Sequence, residues 1–130
     1  MIVIADSGST KTEWCFIEDG IIIKSIKSKG INPYFEGKED IIAEIKSVFL
    51  EIGFTNRISA VYFYGAGCTP EKSDIVKHSI SKVVEENVLI EVNSDLLGAA
   101  RALFGRNKGI ACILGTGSNS CYYNGRYIEK

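Results

Sequence analysis

The sequence contains no apolar run approaching the ~20 residues that a membrane-spanning helix needs. Its first ten residues, MIVIADSGST, carry no basic segment ahead of their short apolar stretch, so they read as a strand entering a turn and not as an export signal. The expected compartment is the cytoplasm. Charge of one sign is also lacking. Lys and Arg total 15 against 16 Asp and Glu, a formal net charge of −1, which points to neither nucleic acid nor an acidic membrane as partner. No two of the four cysteines, Cys15, Cys68, Cys112 and Cys121, form a C-x-x-C pair, so free, buried thiols are expected in place of a metal or cluster site. There is no G-x-x-x-x-G-K-[ST] phosphate loop. Gly115 and Gly117 do not extend to a dinucleotide fingerprint, because Ser120 stands where the third glycine would be.

What is present is an ordinary globular balance, 45% hydrophobic and 24% charged over 130 residues. That suits one domain, with room for part of another. Ile2–Ala5 is an apolar run ending at Asp6. Thr12–Ile17 and Ile21–Ile26 are β-rich and joined by Asp19-Gly20, so three strands open the chain as an antiparallel meander. After a loop over 28–37, Ile41, Ile42, Ile45, Val48, Phe49 and Ile52 recur at helical spacing, giving a helix over 38–52 that ends at Gly53. Ala60–Tyr64 is the next strand. Thr69-Pro70 starts a second helix, with apolar Ile75, Val76, Ile80, Val83 and Val84. Val88–Val92 is a strand, and Ser94 caps a third helix that runs to Phe104 and Gly105. Ile110–Leu114 and Asn119–Tyr123 are strands, followed by Asn124-Gly125 as a type I′ turn. The order predicts an α/β fold, a mixed sheet with helices on both faces.

Two segments repeat one design. Ile4-Ala5-Asp6-Ser7-Gly8-Ser9-Thr10 and Ile113-Leu114-Gly115-Thr116-Gly117-Ser118-Asn119 each follow a buried strand, share a Gly-Ser pair and lead into an aromatic-bearing strand. The chain thus reads as a first domain over 1–106 and the start of a second over 107–130. The simpler reading is that the last hairpin extends the first domain's sheet.

Gly-, Ser- and Thr-rich turns between strands gather backbone N–H groups into a nest that suits phosphate oxygens. In the first turn, Gly8 permits close approach, Ser9 and Thr10 add hydroxyls and Lys11 adds charge. Asp6 at the strand end is placed to hold Mg²⁺ through water. Asp95 follows a strand end, where open α/β sheets gather ligands, and a carboxylate there can take a proton from an attacking hydroxyl. From position alone, however, a first-turn acid favoured by the helix dipole accounts for Asp95 better. His78 reads as solvated, Gly65-Ala66-Gly67-Cys68 as a tight turn or a border of the site, and Trp14 and Phe16 as core.

Three motifs in this order, Asp6-Ser7-Gly8-Ser9-Thr10-Lys11-Thr12-Glu13-Trp14, Ser94-Asp95-Leu96-Leu97-Gly98-Ala99-Ala100-Arg101 and Ile113-Leu114-Gly115-Thr116-Gly117-Ser118-Asn119, resemble the BadF/BadG/BcrA/BcrD ATPase family, and within it the N-acetylglucosamine kinases. The resemblance spans essentially the whole chain. It implies a ribonuclease H-like (actin-like ATPase) domain with a sheet of about five strands, plus the first hairpin of a second such domain, with ATP between them. It implies that Asp6, Gly8, Ser9, Thr10, Lys11 and Thr12 form one phosphate loop and that Gly115, Thr116 and Gly117 belong to another. It makes Asp95 the base for a sugar hydroxyl, reversing the position-only reading, and gives Asn32, Ser118 and Asn119, with Asp95, to the amino sugar. The expected activity is phosphorylation of N-acetylglucosamine to its 6-phosphate by a full-length protein of which this chain is the N-terminal part. Its cofactors would be ATP and Mg²⁺, its partner a small-molecule sugar, and a homodimer is the assembly to test. The family's adenosine-binding segment would lie beyond Lys130, so the chain alone is expected to be nearly inactive. Two rivals stand beside this: an ATPase activator of a 2-hydroxyacyl-CoA dehydratase, which would need an iron–sulfur cluster on cysteines, and a sugar-sensing domain without turnover.

Overall fold

The computed structural model of the chain describes residues 1–53, 55–114 and 118–129. Five strands form one mixed sheet: β1 (Ile2–Ser7), β2 (Lys11–Glu18), β3 (Ile21–Lys29), β4 (Ala60–Gly65) and β5 (Leu89–Ser94). Their order is β3-β2-β1-β4-β5. β1 is antiparallel to β2 and parallel to β4, which is parallel to β5. This is the mixed five-stranded sheet that the sequence predicts.

The meander follows from local chemistry. Asp19 and Gly20 both take positive φ, 52° and 75°, between paired residues Glu18 and Ile21, which is what a two-residue type I′ turn demands. Along β1, burial alternates strictly: Val3, Ala5 and Ser7 turn inward, while Ile2, Ile4 and Asp6 turn the other way. The inward residues join Trp14 and Phe16 of β2 and Val61 and Phe63 of β4 beneath two helices, α1 (Lys38–Ile52) and α2 (Ser73–Ser81). Trp14 is fully buried. Its ring centroid lies 5.7 Å from those of both Phe49 and Phe63, and its indole N–H donates to Ser28 Oγ at 3.0 Å. Aromatic pairs of this kind add about 0.5–1.5 kcal/mol each beyond their burial.

The opposite face carries α3 (Asp95–Phe104). Leu96, Leu97 and Ala100 pack with Tyr64 of β4 and with Ala111, Cys121 and Tyr123 of a second sheet. Helices therefore cover both faces, as expected. The second sheet has the order β6 (Gly109–Leu114), β7 (Ser118–Tyr123) and β8 (Ile128–Glu129), all antiparallel. The last hairpin thus makes a sheet of its own and does not extend the first.

Four details differ from expectation. Thr69-Pro70 opens a separate turn in which the Thr69 carbonyl accepts from Lys72 N, Ser73 N and Ser73 Oγ, so α2 begins only at Ser73 and ends before Val83 and Val84. Asn124-Gly125 is not a two-residue turn, because Tyr123 pairs with Ile128 and leaves four loop residues. There the Asn124 side-chain oxygen accepts the amides of Arg126 and Tyr127, each at 2.9 Å. A 3₁₀ turn at Thr55–Arg57 had no sequence signal. The thiols are all free, but only Cys68 and Cys121 are buried; Cys112 is exposed. His78 is exposed and Trp14 and Phe16 are core, as read from the sequence. Among the described residues no helix is long and apolar enough to cross a membrane.

Candidate functional site

The parallel pairing of β1, β4 and β5 sets the site. Ser7 lies level with Gly65, and Gly65 with Ser94, so the chain leaves all three strands in one row at their carboxyl ends. Open α/β sheets bind ligands at such a row. Asp6, the turn after it, the turn at Gly65–Cys68 and Asp95 are therefore neighbours by topology, though far apart in sequence.

At β5, Ser94 ends the strand and caps α3, accepting the Leu96 amide on its Oγ at 3.2 Å. Asp95 is thereby the first helical residue, half-buried, its Oδ1 3.4 Å from Ser94 Oγ. The negative charge of Asp95 is felt by both Asp6 and Cys68. The Asp6 carboxyl is pushed above its ordinary 3.8 by desolvation first, then by Asp95 and by Glu13, its cross-strand partner, with Lys11 opposing. The Cys68 thiol is pushed up to about 12 by burial and then by Asp95, so it is a packed, protonated group and not a nucleophile.

The turn between β1 and β2 is closed by the Gly8 amide donating to the Lys11 carbonyl at 2.9 Å. Ser9, Thr10 and Lys11 are exposed at its tip. Thr12 is different. It is fully buried, its hydroxyl 2.7 Å from Ser7 Oγ and donating to the Lys29 carbonyl at 2.9 Å. Ser7, also fully buried, accepts the Ile31 amide at 2.9 Å. This pair of hydroxyls ties the end of β3 to the base of the turn. Both hydroxyls are spent on protein partners, which makes Thr12 part of the loop's foundation.

Gly30 completes the tie. Its amide donates to the Thr10 carbonyl at 3.0 Å, and a Cβ on it would lie 2.5 Å from the Gly8 carbonyl oxygen, closer than any side chain tolerates. Asn32 follows two residues later. Its Oδ1 accepts the Tyr34 amide at 2.9 Å, and its carboxamide rests on Gly67, where no Cβ would fit. The structure thus brings Asp6, the turn over 8–11, Asn32 and Asp95 to one end of the sheet. Nothing local in the sequence marks the hydroxyl tie or Gly30, because the partners lie 17 and 24 residues away along the chain.

On the other hairpin, Gly115, Thr116 and Gly117 lie outside the described residues. Ser118 pairs through its backbone with Leu114, and Asn119 is exposed, its Oδ1 accepting the Ser120 amide at 2.9 Å. Among the described residues no hydrogen bond joins Asn119 to Asn32 or Asp95.

No family model matches the chain, and no curated protein does. Solved structures do. A Porphyromonas gingivalis protein provisionally named an N-acetylglucosamine kinase is 48% identical across 99% of this chain, with a TM-score of 0.94. A Cytophaga hutchinsonii protein provisionally named a sugar kinase is 16% identical across 99% of the chain, TM-score 0.62. The hexokinase of Schistosoma mansoni, solved with glucose, is 15% identical across 93% of the chain, TM-score 0.58, and the match covers 35% of that hexokinase. The chain spans about half the length of the first two, 46% and 49%. Its five-stranded mixed sheet, with helices on both faces and a second small sheet behind α3, is the fold of the sugar kinases and actin-like ATPases.

Proposed function

We propose that a protein built on this chain transfers the terminal phosphoryl group of ATP to the 6-hydroxyl of N-acetylglucosamine, in the cytoplasm and as a member of the BadF/BadG/BcrA/BcrD ATPase family. In this reading residues 1–106 are its first ribonuclease H-like domain and 107–130 open the second. The observation that carries the proposal is the placement of Asp6 and Asp95 at the same carboxyl end of the sheet as the exposed turn at 8–11, in a chain 48% identical to the Porphyromonas gingivalis protein.

Each residue has a defined task. Asp95, held by the Ser94 cap at the start of α3, accepts the proton of the sugar hydroxyl as its oxygen attacks phosphorus. A positioned base of this kind contributes about 10²–10⁴-fold. Ser9, Thr10 and Lys11 face the phosphate chain, and Lys11 offsets the charge spread over the transferring oxygens. Ser7 and Thr12 hold that turn against Gly30, which sets Asn32 beside the sugar. The hard carboxylate oxygens of Asp6 suit Mg²⁺, and the surplus of negative charge from Asp95 and Glu13 around Asp6 is one that a cation offsets. When bound, Mg²⁺ neutralises phosphate charge. Gly115, Thr116, Gly117, Ser118 and Asn119 are assigned to the far side of the phosphate and sugar, contributed by the second domain.

The test is a coupled assay of ADP release by the full-length protein with a panel of hexoses and N-acetylhexosamines. Turnover highest with N-acetylglucosamine supports the reading. Equal background ATP hydrolysis with every sugar contradicts it.

A further inference from the structure

A cavity of about 810 Å³ opens at the far end of α3 from Asp95, roughly 15 Å along the helix axis. It lies where the turn after β7 docks against the end of α3, with Glu91 of β5 alongside. Its size falls in the range of small-molecule sites. None of the residues assigned above to phosphate transfer lines it.

The charge in this cavity is unusual for the chain. Arg101, Arg106 and Arg126 line it against a single carboxylate, Glu91, in a protein whose net charge is −1. Among the described residues, neither Arg106 nor Arg126 has a carboxylate within ion-pairing distance. Gathering three arginines around a single acid leaves positive charge that an anion offsets.

The cavity is also built, not merely crowded. Arg101 donates to Tyr64 Oη at 3.1 Å and to the Arg126 carbonyl at 3.4 Å, which fixes its guanidinium and leaves three of its five N–H groups. Tyr123, 1% exposed, shares its hydroxyl proton between the carbonyls of Gly105 at 2.6 Å and Gly125 at 2.9 Å, and so pins the turn to the helix. Tyr127 stands at the rim, 58% exposed, offering an aromatic face.

We propose that this cavity binds a phosphate monoester of a polyhydroxylated small molecule. The guanidiniums take the phosphate, bidentate where geometry allows. Glu91 accepts from hydroxyls of the body, and the ring of Tyr127 lies against its apolar face. The site bridges the two sheets, so a bound monoester fixes the seam between them. The proposal does not depend on the kinase reading.

The experiment is a titration of the ¹⁵N-labelled chain with glucose 6-phosphate, inorganic phosphate and glucose, read by amide shifts. Glucose 6-phosphate should move the amides of 101–106 and 124–127 saturably, inorganic phosphate should bind there at least several-fold more weakly, and glucose should move none of them. The exposed pair R106Q/R126Q leaves the Arg126 carbonyl and the Arg101 strut intact, and it should weaken glucose 6-phosphate at least tenfold with the rest of the spectrum unchanged. Shifts confined to residues 8–11, an equal response to glucose, equal binding of inorganic phosphate, or an affinity indifferent to R106Q/R126Q would overturn the proposal.

Discussion

In the hairpin of β1 and β2, Trp14 and Phe16 are fully buried, with strands on both sides and two helices above. In the hairpin of β6 and β7, the cross-strand partners Ile110 and Tyr122 are 68% and 42% exposed, and among the described residues only the face toward α3 is covered. The two hairpins begin from closely similar sequences. What separates them is the structure packed around each. The first turn rests on a buried hydroxyl pair and a crossing segment at Gly30. The second strand pair rests on α3 and the Tyr123 hydroxyl. A repeated motif therefore does not fix its own burial; that comes from the elements packed on its strands.

The largest break in this comparison should come from Trp14→Ala. It leaves a cavity among Phe16, Phe49 and Phe63, and should cost about 3–5 kcal/mol in denaturant unfolding. Tyr122→Ala, on the open face of the second hairpin, should stay within about 0.5 kcal/mol. Equal losses at the two positions would erase the distinction.

Ser7→Ala should cost less, about 1–3 kcal/mol, because it strands the Ile31 amide and one bond of Thr12 in a buried setting. Its signature is local. Exchange of the Ile31 amide should accelerate well beyond that of Val61 in the same sheet. Uniform acceleration would mean that the hydroxyl pair does not tie the loop.

The smallest effect is a pH dependence. Asp6 is raised in the folded chain, so the native state binds more protons than the unfolded one just above pH 3.8, and stability falls as pH rises from there through the folded pKa. Asp6→Asn removes this fall. The stability profiles of the two proteins should coincide in shape below the ordinary carboxylate range and diverge above it, with the variant gaining. A variant that keeps the same fall as the unaltered chain contradicts the upward shift of Asp6 by burial and by the charges of Asp95 and Glu13.

Much of the frame was legible in the sequence because its signals are local. A short apolar run ending at Asp6 marked β1, 3.6-residue spacing marked α1, and Asp19-Gly20 marked a hairpin turn. What escaped depends on distant partners. Thr69-Pro70 resembles a helix start, but the Thr69 carbonyl closes its own turn first. Asn124-Gly125 resembles a tight hairpin, but the Asn124 side chain captures two following amides and opens the loop to four residues. In the site, Asp6 was legible from its place at a strand end, Asp95 and Asn32 only through the family resemblance, and the tie of Ser7 and Thr12 to residues 29–31 in neither way. No local pattern announces a bond that closes only when β3 pairs with β2.

The central claim is that the Ser94 cap and the strand register hold Asp95 beside Asp6 as the proton acceptor for a sugar hydroxyl. The most direct test is Asp95→Asn in the full-length protein, which keeps the shape of the side chain and removes its basicity. The account predicts a fall in kcat for N-acetylglucosamine phosphorylation of at least about a hundredfold, with folding and ATP binding retained. Undiminished sugar phosphorylation by the variant would contradict it.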